Sequence, residues 1–326
     1  MKTVKIAILG HGNVGGGLCE ILQMNRQLIE ERIERKIHVS YILVNNVTKE
    51  RPWPTLGAKL TDSFDEIVND NSIEIVIEAL GGIEPAASYM RSALEAGKHV
   101  VTANKAALAA NYPALLEKAQ ENNRQLLFEA SVGGGIPALT AISNPLQGNE
   151  FTEVMGILNG TTNYILSKMW DEGLSYDEVL ADAQAKGFAE ADPTADVEGI
   201  DAANKLSILM ALAFHVYVHP EKIPTEGISK ITLKDIENAK KHGEKIKLIG
   251  HGYWEADENG QEILKYHVKP MKFTSEHPIF GVDNEYNAIY INGNAVGQLM
   301  FYGSGAGPLP TGSAVLGDLL SIARSL

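Results

Sequence analysis

Over the first 130 residues, short apolar and β-branched runs alternate with longer segments of helical periodicity. The helical patterns predict a long helix over residues 14–33 and a shorter one over 85–96, which Gly97 ends. The short runs are typical of buried strands, and they lie at residues 5–9, 39–44, 74–78, 99–102 and 125–128. This alternation predicts the α/β class, with a parallel sheet covered by helices on both faces.

The pattern changes after residue 130, where a glycine-rich loop leads into a mostly helical region. Residues 200–215 are almost entirely apolar after Lys205 and predict a helix buried on every side. Near the carboxyl end, three strands are predicted, the last two joined by a Gly293-Asn294 hairpin turn. Because these strands suit an antiparallel sheet, they could pair across a dimer; they lie at residues 262–271, 286–292 and 295–302.

The two patterns together predict two domains, as expected for a chain of 326 residues. A glycine-rich loop over 303–313 leads into a helix over 314–323, which we assign to the first pattern. We expect a Rossmann-type nucleotide domain comprising residues 1–129 and 303–326. The second domain, residues 130–302, is expected to be an α+β catalytic and dimerisation domain.

Composition excludes several classes of protein. No stretch approaches the ~20 apolar residues of a membrane span, and 28 basic against 41 acidic residues give a charge of −13, which repels nucleic acid. The first apolar run is too short for a signal peptide, and the single cysteine cannot form an internal disulfide. We therefore expect a cytoplasmic protein that acts on a small molecule, with neither a nucleic-acid nor a membrane partner.

A glycine turn, Gly10-His-Gly-Asn-Val-Gly15, follows the first predicted strand and opens the first helix. In this context G-x-G-x-x-G predicts a dinucleotide site. Gly10 permits the sharp turn, Gly12 admits the pyrophosphate and Gly15 lets helix and strand pack closely. The amino terminus of the helix then binds the phosphates through its amides and its dipole.

The residues after the second strand bear on the choice of cofactor. Asn45-Asn46 stand there, without the carboxylate that usually binds the ribose hydroxyls of NAD. A 2′-phosphate could instead bind Lys49 or Arg51, which favours NADP over NAD. The alternative is that both residues are ordinary loop charges.

Two lysines are candidates for the chemistry. Lys105 follows the fourth strand, at the edge where open α/β sheets bind ligands, and an exposed loop lysine is the alternative. Asp201 and Lys205 are four residues apart on one helical face. A surface ion pair is the ordinary interpretation, but the apolar residues that follow predict partial burial. A desolvated lysine beside a carboxylate can be tuned for proton transfer.

Other charged or reactive segments are less specific. Glu190, Asp192 and Asp196 lie in one loop, where they are either solvated or bind calcium, although the glycine pattern of an EF-hand is absent. The basic run at residues 240–247 is interpreted as a solvated helix face. Cys19, one turn into the first helix, is a poor candidate for a thiol nucleophile, and the histidines lack zinc-binding spacing. These exclusions leave hydride transfer assisted by lysine.

Six segments, in order and across essentially the whole chain, resemble homoserine dehydrogenase. The resemblance implies reversible, NAD(P)-dependent interconversion of L-aspartate 4-semialdehyde and L-homoserine, in the route to threonine, methionine and isoleucine. The segments are Gly10-His-Gly-Asn-Val-Gly15, Glu78-Ala-Leu-Gly-Gly-Ile-Glu-Pro85, His99-Val-Val-Thr-Ala-Asn-Lys105, Gly156-Ile-Leu-Asn-Gly-Thr-Thr-Asn-Tyr164, and residues 187–205 and 303–315.

The resemblance also implies residue roles. Lys205, with Asp201, matches the group that exchanges a proton at the carbonyl oxygen, and Lys105 matches a lysine between cofactor and substrate. Groups around the substrate match Glu190, Gly187, Thr161, Asp196 and Asp201, and cofactor contacts match His11, Asn13, Val14 and Gly303. A turn similar to one that binds a monovalent cation, usually sodium, implies backbone carbonyl ligands at Glu129, Val132, Gly134 and Ile136.

Two features depart from the family pattern. Many relatives carry a basic residue directly after the second strand, and its absence here leaves the choice between NAD and NADP open. The sequence ends at Leu326, whereas longer relatives continue into a threonine-sensing ACT domain. We therefore expect a short form without that domain, which assembles as a homodimer.

Two other functions remain candidates: a redox sensor that binds NAD(P) without turnover, and a reductase of a related semialdehyde. The enzyme is favoured, because a sensor needs only the glycine turn and its sheet, whereas this sequence also has Lys105, Lys205, Asp201 and Glu190. A related reductase would keep the lysines and alter the acidic loop. Fold alone cannot separate these functions.

Overall fold

The computed structural model describes residues 1–326, which divide into two compact units. One unit comprises residues 1–135 and 306–326, and the other comprises residues 136–305. The segment that begins at Glu129 belongs to the first unit because its backbone is tied to the last helix of the chain, where Asp318 Oδ2 accepts a hydrogen bond from the Glu129 amide at 2.8 Å. No helix of either unit combines the length and the apolar character needed to cross a membrane.

The first unit contains a parallel sheet of six strands in the order β3-β2-β1-β4-β5-β6. This is the Rossmann order, so the predicted fold class is confirmed. The strands are β1 (Lys2–Leu9), β2 (Arg35–Leu43), β3 (Lys59–Thr61), β4 (Ile75–Glu78), β5 (His99–Thr102) and β6 (Leu126–Leu127). The helices are α1 (Asn13–Met24), α2 (Arg26–Ile33), α3 (Phe64–Val68), α4 (Ala86–Glu95), α5 (Lys105–Glu121) and, at the end of the chain, α12 (Pro308–Ser325).

The core of this unit lies on the central strands of the sheet. β4 and β5 are buried along their whole length, as expected for parallel strands covered on both faces. α1 and α12 place Leu18, Leu22, Val315 and Leu319 in the same hydrophobic core as β1 and β4. Because β1, β4 and β5 are parallel, their carboxyl ends lie at one edge of the sheet, the edge at which open α/β sheets bind ligands.

Some predicted elements of this unit need correction. The single helix predicted over residues 14–33 is wrong, because α1 and α2 are separated at Asn25, whose φ of −112° and ψ of 19° are not helical. Asparagine favours such breaks because its side chain competes for backbone hydrogen bonds. The last helix begins before residue 314, at Pro308, a residue suited to the first turn of a helix. β3 is not predicted from the sequence, because a strand of three residues is too short to show a pattern of hydrophobic positions.

The second unit contains an antiparallel sheet of five strands in the order β11-β10-β7-β8-β9. α10 packs against β8, where Gly250 and Gly252 leave room for Leu206 and Met210. The strands are β7 (Phe151–Ile157), β8 (Lys245–Ala256), β9 (Glu262–Phe273), β10 (Tyr286–Gly293) and β11 (Gly297–Ser304). The helices are α6 (Ala138–Ser143), α7 (Gly160–Glu172), α8 (Tyr176–Ala185), α9 (Thr194–Val197), α10 (Ile200–Ala213) and α11 (Leu233–Lys241).

The hairpin between β10 and β11 differs from the predicted one. The prediction of a Gly293-Asn294 turn is wrong, because β10 continues through Gly293 and residues 294–296 form the loop. Gly297 follows with a φ of +71°, a conformation that favours glycine. Asn149 Oδ1 accepts a hydrogen bond from the Val296 amide at 2.8 Å, so a long-range contact fixes the loop.

The interpretation of residues 240–247 as a solvated helix face is also wrong. Gly243, with a φ of +70°, stops α11, and the rest of the segment enters β8. Lys247 is only 1% exposed, and its Nζ lies 2.6 Å from the Val282 carbonyl oxygen and 3.0 Å from Asp283 Oδ1. Burial lowers the pKa of Lys247, and the Asp283 carboxylate opposes that effect.

Two glycines of α12 provide a matched test of the packing between α1 and α12. A Cβ atom on Gly312 would lie 2.8 Å from the backbone of Gly17 in α1, whereas one on Gly317 would meet no atom within 4 Å. We expect Gly312→Ala to lower the free energy of unfolding by about 1–3 kcal/mol, because the helices must separate. Gly317→Ala should raise it by up to about 1 kcal/mol, because alanine is the better helix former. Urea denaturation measures both changes, and equal effects would contradict the close packing.

Candidate active site

The glycine turn joins β1 to α1 and leaves the amino terminus of α1 open. Gly10 has a φ of +97°, and a Cβ there would lie 2.7 Å from the Ala79 carbonyl oxygen. A Cβ on Gly15 would lie 2.1 Å from the Gly10 carbonyl oxygen, whereas one on Gly12 would have no neighbour within 4 Å. No side chain caps the helix, and its first turn contains no acidic residue. The turn therefore fits a dinucleotide, whose phosphates the first helical amides can bind.

A cleft of about 440 Å³ lies beside the glycine turn. His11 lines it, and burial lowers the pKa of this histidine. Arg51 donates hydrogen bonds to the backbone carbonyl oxygens of Asn46 and Lys49. The cleft thus brings the two cationic side chains predicted for a 2′-phosphate beside the dinucleotide turn, together with the acidic Glu50.

Lys105 is the first residue of α5, directly after the carboxyl end of β5. Asn104 caps this helix, because its Oδ1 accepts a hydrogen bond from the Ala107 amide at 3.0 Å. The Nδ2 of Asn104 donates to the Gly82 carbonyl oxygen at 2.8 Å. The backbone that carries Lys105 is thus fixed at the ligand-binding edge of the sheet.

The carboxylate of Glu78 supports the same edge, although sequence reasoning gave it no role. It ends β4, has no solvent exposure, and accepts hydrogen bonds from the Leu80 amide at 2.7 Å and the Thr102 hydroxyl at 2.5 Å. Burial raises the pKa of Glu78, and these hydrogen bonds oppose the rise. Its signal in the sequence is an acidic residue directly after the apolar run of residues 75–77.

In the second unit, Lys205 and Asp201 form a buried ion pair on α10. Lys205 Nζ lies 2.6 Å from Asp201 Oδ2 and 2.7 Å from the Leu158 carbonyl oxygen. The exposed fraction is 8% for Lys205 and 6% for Asp201. The alternative of a surface ion pair is therefore wrong, since both groups are desolvated and fixed.

Asn159, the N-cap of α7, connects this ion pair to Asp196, and sequence reasoning gave it no role. Its Nδ2 lies 2.7 Å from Asp196 Oδ1 and 3.0 Å from Asp201 Oδ2. The Thr161 hydroxyl lies 3.2 Å from Asp196 Oδ2. Burial raises the pKa of Asp196, and the charge of Asp201 raises it further. We call this group the acid–lysine cluster: Asn159, Thr161, Asp196, Asp201 and Lys205.

The rest of the predicted acidic loop contacts this cluster through Phe188, whose carbonyl oxygen accepts a hydrogen bond from the Thr161 hydroxyl at 2.8 Å. Glu190 is exposed, and Gly187 has a φ of +76° in the same loop. Asp192 accepts hydrogen bonds from the amide and the hydroxyl of Thr194, which closes a local turn. The structure contains no group of three or more His, Cys, Asp or Glu side chains placed to hold a metal ion.

The predicted cation turn begins with the short 3-10 helix Glu129–Ser131. Gly133 and Gly134 follow with φ values of +74° and +57°, so the chain reverses tightly. The carboxyl groups of Glu129 and Asp318 are both buried, and burial raises the pKa of Asp318 to about 7. Two buried acidic groups therefore lie beside a turn rich in backbone oxygens.

The other predicted contacts are distributed over both units. Asn13 and Val14 form the first turn of α1, beside the glycine turn. Val132 is buried in the first unit. Ile136 is buried in the second unit, where a Cβ on Gly303 of β11 would lie 3.2 Å from its side chain.

The fold and the two groups of residues define a class of protein. A Rossmann sheet with an open glycine turn binds a dinucleotide. A buried lysine beside carboxylates can exchange a proton with a substrate oxygen. Together they define a nicotinamide-dinucleotide-dependent oxidoreductase.

Comparisons with known proteins identify the family. The homoserine dehydrogenase model matches residues 137–320, and the homoserine dehydrogenase NAD-binding domain model matches residues 10–129. The homoserine dehydrogenase of Bacillus subtilis is 41% identical over 326 residues, which cover 100% of this chain and 74% of that protein. The crystal structure of a homoserine dehydrogenase from Thiobacillus denitrificans is 42% identical, with a TM-score of 0.93, and the match covers 99% of this chain and 74% of that one. A hyperthermophilic archaeal homoserine dehydrogenase in complex with NADPH is 26% identical, with a TM-score of 0.82 and coverage of 99% and 98%.

This chain belongs to the homoserine dehydrogenase family. It is an NAD(P)-dependent oxidoreductase of amino-acid biosynthesis that acts on a CH–OH group, interconverting L-homoserine and L-aspartate 4-semialdehyde. The function implied by the resemblance is thus confirmed. Neither the redox sensor nor the reductase of a related semialdehyde is favoured.

Cys19 tests whether the reaction uses a thiol nucleophile. It is buried in α1, and burial raises the pKa of its thiol to about 12. We expect it to react with a thiol reagent such as DTNB at about pH 8 only after unfolding in urea, because the thiol and not the thiolate is present in the folded protein. The Cys19→Ala variant should have the same turnover as the wild type. Rapid reaction of the native protein, or a folded but inactive Cys19→Ala variant, would contradict a mechanism without a thiol nucleophile.

Proposed function

We propose that L-homoserine is oxidised at the acid–lysine cluster, with Lys205 as the group that exchanges the proton. The observation that carries this proposal is the buried ion pair, in which Asp201 and the Leu158 carbonyl oxygen fix the Lys205 side chain. Oxidation of a primary alcohol removes a hydride from carbon and a proton from oxygen, so a base is needed at that oxygen. In the reverse direction, the Lys205 ammonium returns the proton to the aldehyde oxygen.

We propose that the carboxylates of this cluster bind the charged end of the substrate. Asp196 and Asp201 stand against a single lysine, so their excess negative charge suits the ammonium group of homoserine. The Thr161 hydroxyl, beside Asp196, supplies a neutral polar contact. Glu190 and Gly187 lie on the loop that precedes Asp196, and we assign them to the substrate from the family resemblance. Asp201 acts both on the substrate and as the partner of the catalytic lysine.

We assign the cofactor to the glycine turn, with Lys105 and Gly303 as further contacts. The bound nicotinamide supplies the hydride acceptor for homoserine oxidation and the hydride donor for the reverse reaction. We propose a preference for NADP, because Lys49 and Arg51 line the cleft beside the turn and asparagines stand directly after β2. The relative in complex with NADPH supports the same choice.

We further propose a monovalent cation, with sodium as the expected ion, at the turn that follows β6. The buried carboxyl groups of Glu129 and Asp318 favour a positive charge there. Backbone carbonyl oxygens are hard donors that suit such an ion. The carbonyl ligands implied by the resemblance are those of Glu129, Val132, Gly134 and Ile136.

A homodimer is the assembly that we propose. β11 is an edge strand of its sheet, and it exposes Met300 and Tyr302. An edge strand with exposed apolar side chains is a surface that other chains can pair with or cover. The free, buried Cys19 suits a reducing cytoplasm as the location.

The role of Lys205 is tested by Lys205→Ala, with the exposed Lys230→Ala as the control. Loss of the proton-exchanging group should lower kcat for L-homoserine oxidation by about 100-fold or more. Affinity for NADPH, followed by its fluorescence, should not change, because the glycine turn lies in the other unit. Absorbance of the reduced nicotinamide measures turnover with NADP and with NAD. Turnover of Lys205→Ala within a few-fold of Lys230→Ala would overturn the assignment.

The cofactor preference is tested by replacing Lys49 and Arg51 together with alanine. If both contact the 2′-phosphate, the KM for NADP should rise about 10-fold or more, since each charged hydrogen bond is worth about 1.5–3 kcal/mol. The KM for NAD should stay nearly constant. Lys36→Ala, at the opposite end of β2, is the control. A parallel rise for both cofactors would make the pair structural, and no rise would make it ordinary loop charge.

A further inference from the structure

We propose that Asn159 is a positioning residue of the reaction: its amide group keeps Asp201 on Lys205 and holds Asp196 apart, available to the substrate. The inference rests on the roles proposed above for these three residues. Asn159 acts through its neighbours, and no contact of its own with substrate or cofactor is required.

The hydrogen bonds of the Asn159 side chain join three helices. Its Oδ1 accepts from the Thr162 amide at 2.9 Å and so caps α7. Its Nδ2 carries two hydrogens, and two carboxylates lie within reach, Asp196 Oδ1 at 2.7 Å and Asp201 Oδ2 at 3.0 Å. The residue is 5% exposed, so water competes little for these positions. One planar group thus links the start of α7 to α9 and α10.

The backbone beside Asn159 completes the arrangement. Leu158 immediately precedes it, and the Leu158 carbonyl oxygen accepts a hydrogen bond from Lys205 Nζ at 2.7 Å. Two successive residues therefore hold the two members of the ion pair, the carbonyl group holding the ammonium and the amide holding the carboxylate. The start of α7 packs closely against the residue before β10, since a Cβ on Gly160 would lie 2.6 Å from the Glu285 carbonyl oxygen.

The charges that face the amide group come from two helices. Asp196 belongs to α9, and Asp201 and Lys205 belong to α10. α7 contributes the neutral Thr161, and the side chain of Glu285, before β10, is exposed. The charge of Asp201 raises the pKa of Asp196, so the two carboxylates repel each other. The two N–H groups between the carboxylates oppose this repulsion, because each stabilises the charged form of the carboxylate that it contacts.

Few side chains can replace this amide group. Serine and aspartate both accept a hydrogen bond at an N-cap, so Asn159→Ser and Asn159→Asp are expected to fold. The serine hydroxyl is shorter and has one hydrogen, and aspartate adds a third carboxylate with no donor. The matched control is Thr232→Ala, which removes the N-cap of α11 in the same unit and replaces no member of the acid–lysine cluster.

The experiment compares the pH profiles of these variants. In Asn159→Ser, kcat for L-homoserine should fall about 10-fold or more, as expected for loss of hydrogen bonds to charged groups. The acid limb of kcat/KM should move to higher pH, because the carboxylates lose donors that stabilise their charged form. NADPH affinity should not change. In Asn159→Asp the loss should be larger and should shrink as the pH falls, because a proton can then bridge the carboxylates.

Several outcomes would overturn the inference. One is an Asn159→Ser protein with the kcat and the acid limb of the wild type. Another is an Asn159→Ser protein whose kcat falls only in proportion to its folded fraction, measured by circular dichroism, and whose pH profile does not move. That is the largest effect expected of the control Thr232→Ala. If Lys205→Ala retains turnover, the proposed function itself fails. If Lys205→Ala is inactive while Asn159→Ser is normal, only the role of Asn159 fails.

Discussion

The buried ion pair of Lys205 and Asp201 is the constraint on which the arrangement of the second unit depends. Removing two charges from water costs several kcal/mol per ion unless further hydrogen bonds hold them. The apolar residues that follow Lys205 in α10 bury the pair, and the Leu158 carbonyl and the Asn159 amide supply the hydrogen bonds. Apolar replacements of such pairs are often neutral or stabilising. Stability alone therefore gives no reason for the pair, and the proton exchange that we propose for Lys205 supplies one.

Each unit contains one candidate functional segment in which a strand is followed by a helix capped by asparagine. Asn104 caps α5 and fixes the backbone of Lys105, while Asn159 caps α7 and contacts the carboxylates. An asparagine suits both positions because its oxygen accepts from the helix while its NH₂ group donates elsewhere. α1 is the contrasting case, since its amino terminus has no side-chain cap and is left for phosphate. The same local geometry thus serves either to fix a side chain or to bind a ligand.

What the sequence predicts well here depends on local signals. The strands of the Rossmann sheet, the glycine turn and the place of Lys105 follow from periodicity and from the common edge at which parallel strands end. The burial of Lys205 follows from the apolar residues of α10. Asn159 is different, because its carboxylate partners lie 37 and 42 residues further along the chain. Lys247 is similar, since its partner Asp283 is 36 residues away and only the folded sheet brings them together.

Burial by itself does not distinguish Lys205 from the other buried lysines of this protein. Lys98 is fully buried, but its ammonium donates to backbone carbonyl oxygens and ties a loop to the sheet. Lys247 is equally buried and shares the single carboxylate of Asp283 with a neighbouring lysine. The balance of charges around Lys205 is the opposite: it pairs with one carboxylate, Asp201, and a second carboxylate, Asp196, lies beside that pair. An excess of negative charge around a buried base is what a substrate with an ammonium group and an oxidisable hydroxyl requires. The balance of charges, more than the depth of burial, therefore supports our proposal that the reaction takes place at the acid–lysine cluster.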